Sequence, residues 1–233
     1  MTGNRRTLLA GLSHPDDEVG CAGALAAQVA RGDRVVLLWL TRGSMTEALG
    51  PLPGTEVARL REEQGRAVAE LLGAEARFLD FEDTWVEATP EAAHRVARVL
   101  AELRPDGLVT WGDQWRRGTR HPDHQATGKI FRDAITLARI AKVTAPMEPH
   151  RAPCPVFALR RGEHSSLPAA AVDVTPVLEK VRAVGAYYRE RIGWPRAGWL
   201  ETHLEEAGRR WGVAAAEEFD AWESPPGLFP TLI

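Results

Sequence analysis

Cysteine is scarce. Two residues in 233, Cys21 and Cys154, give neither a disulfide framework nor a paired CxxC ligand set. No apolar run approaches the roughly 20 residues that a membrane span needs. Charge of one sign is lacking as well. Lys and Arg number 29 against 32 Asp and Glu, a net charge of −3, which argues against nucleic acid or a membrane surface as partner. Arg greatly outnumbers Lys, but the arginines are scattered among acids. Nucleotide-binding loops are absent too: Gly20-x-x-Gly23 is not GxGxxG, and no Walker motif exists. There is no internal repeat and no low-complexity tract. Arg5 and Arg6 before an apolar stretch have the outline of a signal peptide, yet the stretch is short and meets His14 and three acids where a cleavage site would stand. A cytoplasmic location is the expectation.

What is present is an alternation of strands and helices over a single domain, 1–233, long enough to bury a substantial core. Apolar runs predict strands at 7–12, 34–40, 77–81, 108–111, 156–159 and 170–174. Amphipathic stretches predict helices at 19–30, 56–72, 90–103, from 122 to about 140, 176–189 and 201–219. An irregular Pro-rich segment interrupts at about 145–155. Such alternation implies an α/β fold, a Rossmann-like doubly wound and mainly parallel sheet with helices on both faces. The expected strand order is 3-2-1-4-5.

Two segments carry chemistry. Ser13-His-Pro-Asp-Asp-Glu18 follows the first strand, and His121-Pro-Asp-His124 follows the fourth. Pro at the first helical position with acids in the first turn suits any helix start. Capping does not ask for histidine, however, and here it directly precedes both prolines. His14 and Asp17, three apart, suit a nitrogen and an oxygen ligand from one loop, and His124 would supply the third. Two His and one carboxylate with an open position suit a catalytic zinc, one ion per chain, or another divalent transition metal. Strands one and four are neighbours in the expected order, so the segments would converge at the sheet's switch point. Asp16 is then placed to take a proton from water, and His121, held by Asp123, to present an N–H to a developing oxyanion.

HPDDE after a first strand, with HPDH about a hundred residues on, resembles the PIG-L family of zinc-dependent N-acetylglucosaminyl deacetylases, which includes the deacetylases of mycothiol and bacillithiol synthesis. The likeness extends to Arg61-Glu-Glu-Gln-Gly at the head of a helix ending in Leu-Gly, to 78–83, to Arg104-Pro-Asp106 and to 212–219 as a closing helix. It implies His14, Asp17 and His124 as zinc ligands, Asp16 as general base and His121, oriented by Asp123, as the oxyanion-side group. It also implies that Arg61 and Asp83 touch the sugar. The chain departs from the family pattern at Gln64, where Glu is usual, at Arg120, where a small residue is usual, and at Ala186-Tyr-Tyr-Arg189, which stands in place of a His and a Ser-Gln. These departures are expected to fall in the outer pocket.

The expected partner is a small-molecule N-acetylated sugar conjugate, with no nucleic acid and no membrane; association of identical chains is left open. The loops 42–54, 82–89 and 112–120 should wall the pocket. There Trp85, Trp111 and Trp115 offer stacking faces, and Arg116, Arg117 and Arg120 offer charge for an anionic group. His150 and His164 could be ligands, but as isolated loop histidines they read as solvated, and His94 and His203, on helices, read as surface or core-edge residues. The reading is a metal-dependent N-deacetylase. An amidase on a non-sugar acyl amide and a catalytically silent sugar-binding module are the alternatives.

Overall fold

The structure, a computed structural model, describes residues 5–113, 121–160 and 165–233. Five βα-type strands come first: β1 Thr7–Leu12, β2 Arg34–Trp39, β3 Glu75–Phe78, β4 Gly107–Trp111 and β5 Val156–Leu159. Between them run the helices α1 Ala22–Ala30, α2 Gly54–Leu72, α3 Pro90–Leu103, α4 Pro122–Leu137 and the short α5 Ala141–Thr144. The chain ends with β6 Ala169–Asp173, α6 Leu178–Ile192, α7 Trp199–Trp211, β7 Ala216–Ala221 and β8 Gly227–Phe229.

All eight strands form one sheet in the order β3-β2-β1-β4-β5-β7-β6-β8. The first five follow the expected order and pair in parallel. β7 runs antiparallel to both β5 and β6. Side chains alternate along the central strands and so feed two cores. Leu8, Ala10 and Leu12 of β1, with Val35, Leu37 and Trp39 of β2, face α1, α2, α6 and α7. Leu9, Val36 and Leu38 face α3 and α4, where Val96, Leu100, Ile130 and Phe131 close over them. Each Leu or Val so buried contributes roughly 1.5–3 kcal/mol. The fold is the doubly wound α/β class expected.

Three expectations need correcting. The helix expected at 19–30 begins only at Ala22, after a separate 3-10 turn, Asp17–Gly20. Asp16 at φ 120° and Cys21 at φ −145° break the helical path on either side of that turn. The second correction is larger: the helix expected at 201–219 stops at Trp211, where Gly212 takes φ 74°. Ala216–Ala221 is a strand instead. Its Ala and Glu favour helix locally, but two flanking strands and burial of Phe219 decide otherwise. Buried Glu217 accepts the Gly23 and Ala24 N–H groups at 2.8 and 2.7 Å, capping α1 across the sheet. The third is β8, which sequence reasoning leaves as coil. No helix of the described residues is long and apolar enough to cross a membrane.

Candidate active site

The site forms where β1 and β4 end side by side, at the point where the chain departs to opposite sides of the sheet. Immediately after β1, Asp17 is pinned by one oxygen. Its Oδ2 accepts from Ser13 N at 2.8 Å, His14 N at 3.0 Å and Trp111 Nε1 at 3.2 Å. Oδ1 is left facing two histidines, 3.1 Å from His124 Nε2 and 3.9 Å from His14 Nδ1. Burial opposes the ionised form, but charge and hydrogen bonds from His124 and His14 outweigh it, and the carboxyl is held well below the usual range.

His14 is gripped from its other side. Its Nε2 lies 3.0 Å from both Asp123 Oδ2 and Asp83 Oδ1. Asp123 also accepts from Thr84 N at 2.8 Å and Val86 N at 3.3 Å, and Asp83 Oδ2 accepts from Met45 N at 2.8 Å. The loops after β2 and β3 are thus tied to His14 through carboxylates, with Thr84 at φ 71°, an unusual conformation for a β-branched residue. Burial lowers the His14 pKa, but hydrogen bonds to Asp123, Asp17 and Asp83 more than reverse this and raise it well above the ordinary value.

The histidines of the second segment are presented by α4, whose N-cap is His121 and whose first residue is Pro122. Trp111 stacks on the His124 ring at 3.9 Å between centroids and 10° between planes. The His121 ring lies 4.5 Å from that of His124 and 4.7 Å from that of His14. His121 Nδ1 is buried without a hydrogen-bond partner. Burial, then the neighbouring histidine charges, push the His121 pKa down, so the ring favours its neutral form.

Asp16 holds φ 120°, ψ −17°, a backbone state that costs a non-glycine residue on the order of 1–3 kcal/mol. Its N–H donates to Glu18 Oε2 at 3.0 Å and its carboxylate meets Arg61 Nη2 at 2.6 Å. Burial raises the Asp16 pKa to about 6, against the lowering charge of Arg61. Arg61, 2% exposed, also donates to the Pro15 carbonyl and, at 2.7 Å, to Gln64 Oε1.

The donor set fits a divalent cation. Three buried carboxylates, Asp17, Asp83 and Asp123, surround His14, and the acids favour positive charge there. His14, Asp17 and His124 supply two nitrogens and one oxygen. The carboxylate behind His14 Nε2 is the arrangement that orients a metal-binding imidazole. Nitrogens of His14, His121 and His124 lie within 4.8 Å of one another, as do ligand atoms of His14, Asp83 and Asp123, so both further groups border the same place.

His14, Asp16, Asp17, Asp83, His121, Asp123 and His124 therefore converge as the sequence suggests. Several roles differ from expectation. The Asp123 carboxylate bonds His14, not His121, because the turn that opens α4 points it back across the loop after β3. Arg61 lies beneath Asp16, its guanidinium engaged by the protein. Gln64 lies there too, below the site and not in an outer pocket. Trp111 is buried against His124, whereas Trp85 is 70% exposed in the loop after β3. His150, expected to be solvated, is instead buried, its Nε2 2.8 Å from the Pro105 carbonyl oxygen. Trp115, Arg116, Arg117, Arg120 and His164 lie outside the described residues. Sequence reasoning passes over Glu18 and Trp39 and treats Tyr188 only as a departure; a third acid directly after the Asp pair is the signal that could have raised Glu18.

A family model described as GlcNAc-PI de-N-acetylase, PIG-L, matches residues 9–135. A diacetylchitobiose deacetylase from Thermococcus kodakarensis is 30% identical over 227 residues, covering 93% of this chain and 82% of the relative. A 1D-myo-inositol 2-acetamido-2-deoxy-alpha-D-glucopyranoside deacetylase from Catenulispora acidiphila is 34% identical over 164 residues, 59% of this chain and 50% of that one. Among solved structures, a conserved protein from Thermus thermophilus aligns with TM-score 0.80 and 28% identity, over 97% of both chains.

Proposed function

The chain belongs to the PIG-L family, and from that premise we propose that it is a metal-dependent hydrolase that removes an acetyl group from an N-acetylglucosamine-type amide. The observation that carries the proposal is the meeting of His14 and Asp17, just after β1, with His124 from the first turn of α4, with Asp16 adjacent. The sugar comes from the relatives, which are named for deacetylating diacetylchitobiose and a glucosaminyl inositol. In this reading His14, Asp17 and His124 hold one zinc or similar divalent ion. Such an ion supplies Lewis-acid chemistry, polarising the amide carbonyl and lowering the pKa of a water.

The remaining steps belong to the chain. Asp16, held as a carboxylate by Arg61, accepts a proton from the attacking water. The water oxygen bonds to the carbonyl carbon, and the His121 ring donates an N–H to the oxygen on which charge develops. The carbon–nitrogen bond then breaks, and the proton taken by Asp16 passes to the departing nitrogen. Acetate and a free amino sugar result. Asp123 and Asp83 keep His14 oriented throughout. Trp115 is proposed to offer the sugar a stacking face and Arg120 to offer charge to an anionic group beyond it, and exposed Trp85 offers a further stacking face.

Acetate release from N,N'-diacetylchitobiose, from an N-acetylglucosaminyl glycoside and from a simple acyl amide tests this directly. Release from the sugars, and little from the simple amide, is expected. Equal or greater release from the simple amide would make the protein a general amidase, and release from none would leave a sugar-binding module.

A further inference from the structure

Glu18 is a fully buried acid that the chemistry above does not use. Its carboxylate collects donors from three separate parts of the fold. Oε2 accepts from Asp16 N at 3.0 Å and from Trp39 Nε1, at the end of β2, at 3.1 Å. Oε1 accepts from the hydroxyl of Tyr188, on α6, at 2.5 Å. The Tyr188 ring in turn lies 5.6 Å from the guanidinium carbon of Arg61, the group that grips the Asp16 carboxylate. Asp16 is therefore held twice, at its backbone through Glu18 and at its side chain through Arg61, and Tyr188 touches both holders.

The backbone hold matters because Asp16 stands at φ 120°, where an L-residue stays only when its surroundings over-determine it. No other acceptor for the Asp16 N–H exists among the described residues, and an apolar residue at position 18 would leave that N–H, the Trp39 indole and the Tyr188 hydroxyl to find new partners. We propose that Glu18 and Tyr188 are positioning residues that fix the conformation of Asp16, and so aim its carboxylate at the reacting water. The geometric part stands alone, while the catalytic part rests on the reading of Asp16 as base. A residue some 170 positions away in sequence thereby belongs to the catalytic apparatus.

The test is a mutant cycle with a crystallographic readout. Glu18→Ala should retain its metal and its KM while kcat falls about tenfold or more, since a small misplacement of a reacting group is costly. Glu18→Gln should recover most of that loss, because its amide oxygen can still accept from Asp16 and its NH2 can face the Tyr188 oxygen. In an Asp16→Asn background, Glu18→Ala should cost less than about twofold more, as groups acting through one another are not additive. The crystal structure of Glu18→Ala should show Asp16 away from φ 120° and its carboxylate displaced from Arg61. Should Glu18→Ala fail to fold, Tyr188→Phe, which removes a single hydroxyl, enters the same cycle with a smaller loss. An unmoved Asp16 in the variant crystal, or equal losses in both backgrounds, would overturn the proposal. An Asp16→Asn enzyme as fast as the parent would instead remove Asp16 from the base role, leaving the crystallographic result to judge the positioning.

Discussion

One oxygen of Asp17 accepts three N–H bonds so that the other can face His124 and His14. That division of labour within a single carboxylate is the residue-scale device of the site, and Asp83 repeats it behind His14, one oxygen accepting from Met45 N and the other facing the imidazole. Two substitutions separate holding the metal from using it. Asp16→Asn should keep its metal and lose about 10²-fold or more in kcat, because an amide cannot take the proton; elemental analysis beside an acetate assay checks both. His121→Ala should likewise keep its metal and lose rate through the oxyanion. If that variant loses the metal instead, His121 joins His14 and His124 as a ligand, a placement its ring nitrogen is near enough to fill. The histidines are legible in the sequence because Pro-led helix starts do not otherwise call for them, and Asp17 by its spacing of three from His14. The partner of Asp123 is not, since a local pattern cannot say which of two nearby imidazoles a carboxylate will meet. Arg61 is similar: its place on a helix is readable, but not the burial that turns it beneath Asp16.

Helix α4 carries His121 and His124, and glycine sets how closely it approaches the strands. A Cβ at Gly128 would lie 2.2 Å from the Trp111 carbonyl oxygen, and one at Gly11 would lie 2.5 Å from the Phe131 ring. Gly128→Ala must push α4 off the end of β4. It should destabilise the fold by about 1–3 kcal/mol in urea unfolding, and weaken metal retention by displacing His124. Unchanged stability and metal affinity would mean that α4 sits further from the sheet. At the opposite side of β1, Glu217 shows how an element can be misread. Ala-Glu-Glu-Phe reads as helix, yet the segment fills a gap between two strands and its acid caps α1. Burial raises Glu217 to about 7, above the value of an unfolded chain, so the folded state holds its proton over a range in which the unfolded state has lost it. Stability from this group is therefore full below about pH 4.5 and is lost as pH rises to about 7, by on the order of 3 kcal/mol. Denaturant unfolding at several pH values should show a shallower decline in Glu217→Gln; parallel curves would contradict this.

For the molecule as a whole, alternation narrows the order of the first five strands to a few arrangements, because right-handed crossovers and buried parallel strands allow few others, and the chain takes the expected one. Their alternating side chains supply two cores, and the switch point between β1 and β4 brings together segments about a hundred residues apart. The remaining sheet is less legible. β7 joins against local propensity, and β8, three residues long, has too little pattern to announce itself. The substrate beyond the sugar is read least well, since the departures at Gln64 and Tyr188 lie beneath the site, where they bear on Asp16 and its supports and not on what enters. What the proposed function commits to is a cation held by His14, Asp17 and His124 and required for hydrolysis. Acetate release from an N-acetylglucosaminyl glycoside, followed for the purified protein, after chelation and after readdition of zinc, tests that commitment most directly. The chelated protein should release none, and about one equivalent of zinc per chain should restore the rate; full activity in metal-free protein would contradict the account.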